Sequence, residues 1–239
     1  YLARYQINPS LRHFQLVKHL MRYLQGTKDL TLTFGRRNYH DDGNVCPLAC
    51  MVDSNYIGEG DSCYSTTGYV FLLYGCPILC ESKKQTAVSN NTSEAELIAA
   101  SHAVRTGTYL RRLLIADFEM DETQPTLIGE DNQGCIHISR GGGNYARLRH
   151  IRVADSYVYQ AIMIHKTHSM RYVRSADNIS DIFTKPTDIT TFRKLRWCLM
   201  GDAPNDEDTM HPQDVTATYH WLSEDLDDAP AEECWRSGG

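Results

Sequence analysis

Asp53, Glu96, Asp131 and Asp181 lie in four separate segments, CMVDSNY, NTSEAELIAA, LIGEDNQGCI and NISDIFTKP. Each falls at the end of an expected strand or in the first turns of an expected helix. Carboxylates this far apart in sequence meet only where rigid elements bring them together. Where they do meet, they suit hard cations. Mg²⁺ takes oxygen ligands, and two such ions about 4 Å apart clamp the attacking and leaving oxygens of an in-line phosphoryl displacement. The pattern points to metal-assisted phosphodiester hydrolysis.

Each carboxylate also has a purely structural alternative. Asp53 begins DSN, where Asp and Asn side chains close turns on their own backbone. Ser93 stands three residues before Glu96, a capping-box spacing that would turn Glu96 back to the Ser93 N–H, with Glu94 out of position to replace it. Asp131 is a candidate N-cap for NQGCIHIS. Asp181 is placed to interact with a helix dipole. Glu130 is expected to point to the opposite face of the strand end from Asp131 and to be solvated. Among the bases, Arg147, Arg149 and His150 lie in or just after the Gly-rich loop RGGGNYARLR. The functional reading gives the arginines phosphate contacts and His150 a part in product release or proton transfer. Lys83 and Lys84 follow a strand and suit a nucleic-acid backbone. An ordinary solvated basic surface is the alternative for both groups.

The elements that must position these residues are legible from pattern. NPSLRHFQLVKHLMRYLQGTKDL reads as an amphipathic helix started by Pro9 and Ser10 and stopped by Gly26 in a left-handed conformation, with an apolar stripe of Leu11, Phe14, Val17, Met21 and Leu24. LTLTF is expected as a strand and GRRNYHDDGN as a polar linker, placing a domain boundary near residue 42. LACMVDS, GYVFLLYG and PILCES follow as closely spaced strands, the signature of an antiparallel meander. TSEAELIAASHAVRTGTYLRRLLIADF is a long helix with Leu97, Ala100, Val104, Leu110 and Leu114 toward the core. Strand QPTLIGE, helix DNQGCIHIS, helix HIRVADSYVYQAIMIH, strand SMRYV and helices in NISDIFTKP and TTFRKLRWCLM complete a mixed sheet covered by helices.

Composition sets the wider frame. The 239 residues are 41% apolar and 23% charged, and no run of eighteen apolar residues marks a membrane helix. The net charge of −6 hides an asymmetry: residues 202–239 hold eleven acids and one Arg, whereas residues 1–201 hold 23 Lys and Arg against 19 Asp and Glu. A basic body with an acidic tail fits a polyanion-binding surface. The eight cysteines, including the pairs Cys46/Cys50 and Cys76/Cys80, lack tight zinc-ligand spacing and read as reduced thiols of an intracellular protein. The opening YLARYQINPS, without Met or a signal-like apolar run, reads as a piece of a longer chain.

The segments TTGYVFLLYGCPILCESKKQTAVSNNTSEAELIAASHA, EDNQ, RHI and SDIFTKP closely resemble the ribonuclease H domain at the end of copia-type retrotransposon polyproteins, and NPSLRHFQLVKHLMRYLQGTKDL resembles the connection that precedes that domain after reverse transcriptase. The resemblance covers roughly residues 1–200. It implies a ribonuclease H-like α/β fold: a mixed five-stranded sheet, its first three strands antiparallel, flanked by helices and preceded by a short helical connection. The implied domains are a connection over 1–42, a ribonuclease H-like domain over 43–200 and an acidic tail over 201–239. The implied activity is Mg²⁺-dependent cleavage of the RNA strand in RNA–DNA hybrids, with two ions (Mn²⁺ substituting) on Asp53, Glu96, Asp131 and Asp181. The implied partners are the hybrid and a reverse transcriptase domain in the same polyprotein, in the cytoplasm within a virus-like particle.

The chain departs from that family's pattern at several places. Asn55 and Tyr56 stand where an aspartate and a tryptophan are usual, Ser156 replaces a histidine, and Asn90 and Asn91 are inserted into the lead-in to Glu96. These changes keep open a second reading, a catalytically silent domain that binds nucleic acid or connects polyprotein segments. An integrase of related fold would rely on three acids and fits the SDIFTKP segment less well.

Overall fold

Three consecutive strands build one side of the sheet, the first two buried almost throughout and the third alternating between half-buried and exposed positions. In the computed structural model, which describes residues 2–34, 47–57, 63–120, 123–142 and 152–200, strands β1 (Leu48–Asn55), β2 (Thr66–Leu73) and β3 (Cys76–Lys84) form an antiparallel meander. β2 and β3 are joined through Tyr74 and Gly75, both at positive φ (50° and 77°), the backbone that a two-residue hairpin demands and that Gly supplies without strain. Helix α2 (Thr92–Phe118) then crosses to β4 (Thr126–Glu130), which runs parallel to β1. Helices α3 (Gln133–Ser139) and α4 (Arg152–Tyr159), with a π-helical turn over Gln160–Ile164, lead to β5 (His168–Tyr172), parallel to β4. A 3₁₀ turn (Ser175–Asp177), α5 (Asp181–Thr184) and α6 (Ile189–Met200) follow. The strand order is β3-β2-β1-β4-β5. This is the mixed, ribonuclease H-like sheet expected from the sequence, with its first three strands antiparallel.

The central strand β1 is covered on both faces. Leu48, Cys50 and Val52 meet Phe71, Ile128 and the α2 side chains Leu97, Ala100 and Val104 on one face. Ala49 and Met51 meet Val70, Leu72, Leu127, Val173, Ile179 and Cys198 on the other. Burying a side chain such as Phe71 or Leu97 contributes about 1.5–3 kcal/mol, so the frame holding the strand ends is set mainly by these residues. Among the described residues no helix is long and apolar enough to cross a membrane.

The elements outside this frame differ from expectation. Helix α1 (Leu11–Gly26) starts at the Ser10 cap, but Gly26 is its last helical residue and Thr27 caps it at φ −120°, so no left-handed stop is used. Its stripe residues Leu11, Phe14, Met21 and Leu24 are exposed, and α1 touches the rest of the fold through Tyr23, edge-on to Phe192 of α6. LTLTF is not a strand: among the described residues it joins no sheet, and its Thr33 N–H donates to the carbonyl of Met200 at 2.9 Å. The expected helix over HIRVADSYVYQAIMIH changes to π-helical winding at Gln160, where His165 N–H reaches back five residues.

Candidate metal centre

Asp53 projects from the end of β1 toward α5. The side-chain period of two places it on the face of Ala49 and Met51, which the α5–α6 segment covers. There it accepts a hydrogen bond from the Thr184 hydroxyl and lies 3.8 Å from the Lys185 ammonium. Lys185 Nζ also pairs with Asp181 Oδ1 at 2.8 Å. Three further bonds fix this corner: Ser82 Oγ donates to Phe183 O (2.6 Å), Asn55 Nδ2 to Thr184 O (3.5 Å), and Asn178 Nδ2 to Val52 O (2.9 Å). Asn55, a departure from the family pattern, thus ties β1 to α5. Tyr56, the other departure there, donates its hydroxyl to Asn90 O at 3.1 Å.

Glu96 arrives from the opposite face, on the second turn of α2. The capping-box alternative does not hold for it. Asn91 is the N-cap and accepts from Glu94 N–H (3.0 Å), while Glu94 Oε2 accepts from Asn90 N–H (2.7 Å), so the inserted asparagines and Glu94 satisfy the helix start. Ser93 instead donates to Asn132 Oδ1 (3.2 Å). Asn132, not Asp131, caps α3 by accepting from Cys135 N–H (3.0 Å). Both acids are therefore released from capping duty.

The carboxylates meet at one end of the sheet. Oxygens of Asp53, Asp131 and Asp181 lie within 4.8 Å of one another, and so do oxygens of Glu96, Glu130 and Asp131. Asp131 is common to both groups and half-buried; the other four are buried. Glu130 corrects the sequence reading. It is fully buried rather than solvated, and it joins Asp131 and Glu96 in one group of carboxylates instead of turning away from Asp131.

Crowded, desolvated acids resist ionising. Burial, then the negative charges of Glu130, Asp53 and Asp131, push Glu96 well up; burial also pushes Glu130 well up, against the Asn132 N–H that favours its charged form. Burial raises Asp53 although Lys185 and Thr184 oppose it. Asp181 is pushed up to about 6, by burial and by the Asp53 charge. Burial pulls Lys185 down, yet the combined charges of Asp53, Asp181 and Asp131 outweigh it and its pKa is raised. The donor set fits a divalent cation on chemistry and on geometry: all oxygen, strongly anionic, and with Glu96 Oε2 and Glu130 Oε2 buried without a hydrogen-bond partner.

Known proteins resemble this chain over most of its length. The chain is 29% identical over 184 residues to the Retrovirus-related Pol polyprotein from transposon TNT 1-94 of Nicotiana tabacum, covering 77% of this chain. It is 26% identical over 196 residues to the Pol polyprotein from transposon RE1 of Arabidopsis thaliana, covering 81%. Its homologues over most of the chain are retrotransposon Pol polyproteins. It spans 13% of the length of either of those two relatives. It is also 32% identical over 109 residues to Secreted RxLR effector protein 161 of Plasmopara viticola, covering 46% of this chain and 72% of that protein. No protein-family model matches. Among solved structures, LC11-RNase H1 overlaps 57% of the chain and 91% of its own at 13% identity and a TM-score of 0.44.

The basic residues singled out in the sequence divide into two groups. Lys83 and Lys84 end β3 and line a pocket of about 80 Å³ with Thr67, Glu81, Gln85 and His102; Lys84 Nζ sits 4.8 Å from the Tyr64 ring centre. The ladder Asp53↔Gly68↔Ser82 puts them at the same sheet end as the carboxylates. Arg147, Arg149 and His150 lie outside the described residues, as do Cys46, Cys234 and the acidic tail. Two site residues were missed by the sequence reading. Glu130 carried no separate signal; Lys185, four residues after Asp181, follows the end of α5 in extended backbone and reaches back to it.

Proposed function

We propose that this chain is a ribonuclease H that hydrolyses the RNA strand of RNA–DNA hybrids during reverse transcription of a retroelement, with divalent cations, Mg²⁺ or Mn²⁺, on Asp53, Glu96, Asp131 and Asp181. The observation that carries the reading is the gathering of four carboxylates, from β1, α2, the end of β4 and α5, at one end of a ribonuclease H-like sheet. Bound cations would supply charge neutralisation and an activated water at neutral pH. The protein's own part is to hold the acids on rigid elements, so that the ligands need no reorganisation. Lys83 and Lys84, with Arg147 and Arg149, would track the phosphate backbone, and His150 would assist proton transfer or product release. The RNA strand would be selected by its 2′-hydroxyls and groove shape rather than by base readout.

Residues 1–42 would be the connection to an upstream reverse transcriptase domain, 43–200 the nuclease and 201–239 an acidic extension, within a virus-like particle in the cytoplasm. One observation favours a second reading, a silent nucleic-acid-binding domain: Lys185 already offsets part of the charge of Asp53 and Asp181 without a metal.

Cleavage of a labelled RNA–DNA hybrid in Mg²⁺, beside Asp131→Asn and a duplex-DNA control, separates them. RNA cutting that needs metal and Asp131 supports the nuclease. A folded protein that binds hybrid and cuts nothing in Mg²⁺ or Mn²⁺ favours the silent domain.

A further inference from the structure

The five clustered carboxylates form two groups that differ in how their charge is already balanced. The group of Asp53, Asp131 and Asp181 carries its own cation, since Lys185 lies 2.8 Å from Asp181 and 3.8 Å from Asp53. In the group of Glu96, Glu130 and Asp131 only the shared Asp131 feels the Lys185 charge, and neither glutamate has an ion-pair partner among the described residues. We propose that Glu130 is a fifth ligand of the centre and that Glu96, Glu130 and Asp131 form the position that takes up the first divalent cation.

The fold gives Glu130 this place. Along β4, Leu127 belongs to the core under α6 and Ile128 to the core under α2. Glu130 falls two residues after Ile128 and so lies beneath α2, beside Glu96. Its Oε1 accepts the Asn132 N–H at 2.9 Å, which fixes the carboxylate plane. Its Oε2 is left buried with no hydrogen-bond partner, as is Oε2 of Glu96, and the two residues are 0% and 5% exposed. Two buried, unpartnered carboxylate oxygens with a third acid in reach are uncommon unless something positive sits between them. A cation that prefers oxygen ligands fits, and Asp131, half-buried, leaves a side open to solvent. A single proton shared between Glu96 and Glu130 is the competing account.

The inference deepens the ribonuclease reading and rests on it for the role of the centre. The test is a Mn²⁺ titration of the full 239-residue chain without nucleic acid, following the free-ion paramagnetic resonance signal, with Glu130→Gln and Glu130→Asp beside the wild type. Glu130→Gln is nearly isosteric, and circular dichroism checks its fold. The expected result is a first-ion affinity weakened roughly 10- to 100-fold in Glu130→Gln, with Glu130→Asp in between. Glu130→Gln should also gain less melting temperature than wild type on adding metal. Unchanged Mn²⁺ affinity in Glu130→Gln, the outcome expected of a shared proton, overturns the proposal, as does a wild type that takes up no ion. The two readings fail separately. Hybrid cleavage with unchanged Glu130→Gln affinity removes the fifth ligand and keeps the nuclease; Glu130-dependent binding in a chain that cuts nothing does the reverse.

Discussion

The Thr184 hydroxyl donates to the Asp53 carboxylate, joining α5 to the end of β1 across 131 residues of sequence. A four-residue helix has no independent stability, so its position is borrowed from the sheet through this bond and those from Asn55 and Ser82. Thr184→Val keeps the shape and removes the donor. It should cost about 1.5–3 kcal/mol in urea unfolding, the scale for a hydrogen bond to a charged group. Hybrid cleavage should fall further than folding does, because Asp53 loses the group that orients it. Stability unchanged within error would mean that the bond contributes nothing net.

Gly68 faces Asp53 across the β1–β2 ladder, and α5 packs directly on it. A Cβ there would lie 2.5 Å from Thr184 Cγ2, 2.9 Å from Phe183 Cβ and 3.2 Å from Ser180 O. Gly68→Ala must therefore push α5 outward. The expected cost is about 1–3 kcal/mol of overpacking, with a smaller metal-induced rise in melting temperature because Asp181 moves with α5. An undiminished rise would show that Asp181 does not contribute to metal binding.

The raised carboxylate pKa values make a pH prediction with a definite sign. A carboxyl raised in the folded state binds more protons there than in the unfolded chain, so stability is fully present below the unfolded value and lost as pH rises. For Asp181 the window runs from the ordinary 3.8 to about 6, and Asp53, Glu96 and Glu130 act in the same sense. In chelator, the melting temperature should fall through this window, and saturating Mg²⁺ should restore it most above pH 6. His168 at the far end of β5 is pushed down to about 4, by burial and by Arg111, and works in the opposite sense between 4 and 6.5. It is remote from the metal, so it cancels in the difference between Mg²⁺ and chelator. A difference that does not grow with pH would contradict the assignment of these acids as ligands.

What the sequence could show follows from how local each determinant is. The four acids stood out because strand ends and helix starts are marked by nearby residues; α2 has the bounds expected from its apolar spacing. Two overlapping cap patterns preceded it, Asn91 to Glu94 and Ser93 to Glu96, and only tertiary contact chose between them: Ser93 is drawn off to Asn132. Glu130 was unreadable for a different reason. Whether water or α2 covers this strand end depends on a helix that starts 38 residues earlier. LTLTF has strand composition but joins no sheet among the described residues, a matter of topology rather than propensity.

Lys185 offers the last prediction, since it stands where positive charge is needed when no metal is bound. Removing it as Lys185→Met leaves Asp53 and Asp181 facing each other. Breaking a fully buried pair costs about 3–5 kcal/mol, but the Lys185 side chain is 37% exposed and solvent screens part of its effect, so roughly 1–2 kcal/mol is expected in chelator. In metal the sign should reverse. Divalent cations no longer displace an ammonium from Asp53 and Asp181, so the Mg²⁺ midpoint for thermal stabilisation should fall while Glu130-dependent uptake of the first ion stays as in wild type. Thermal melts across a Mg²⁺ series read both effects. If Lys185→Met raises the midpoint instead, the lysine organises the site for metal rather than competing with it, and the two carboxylate groups are not filled independently.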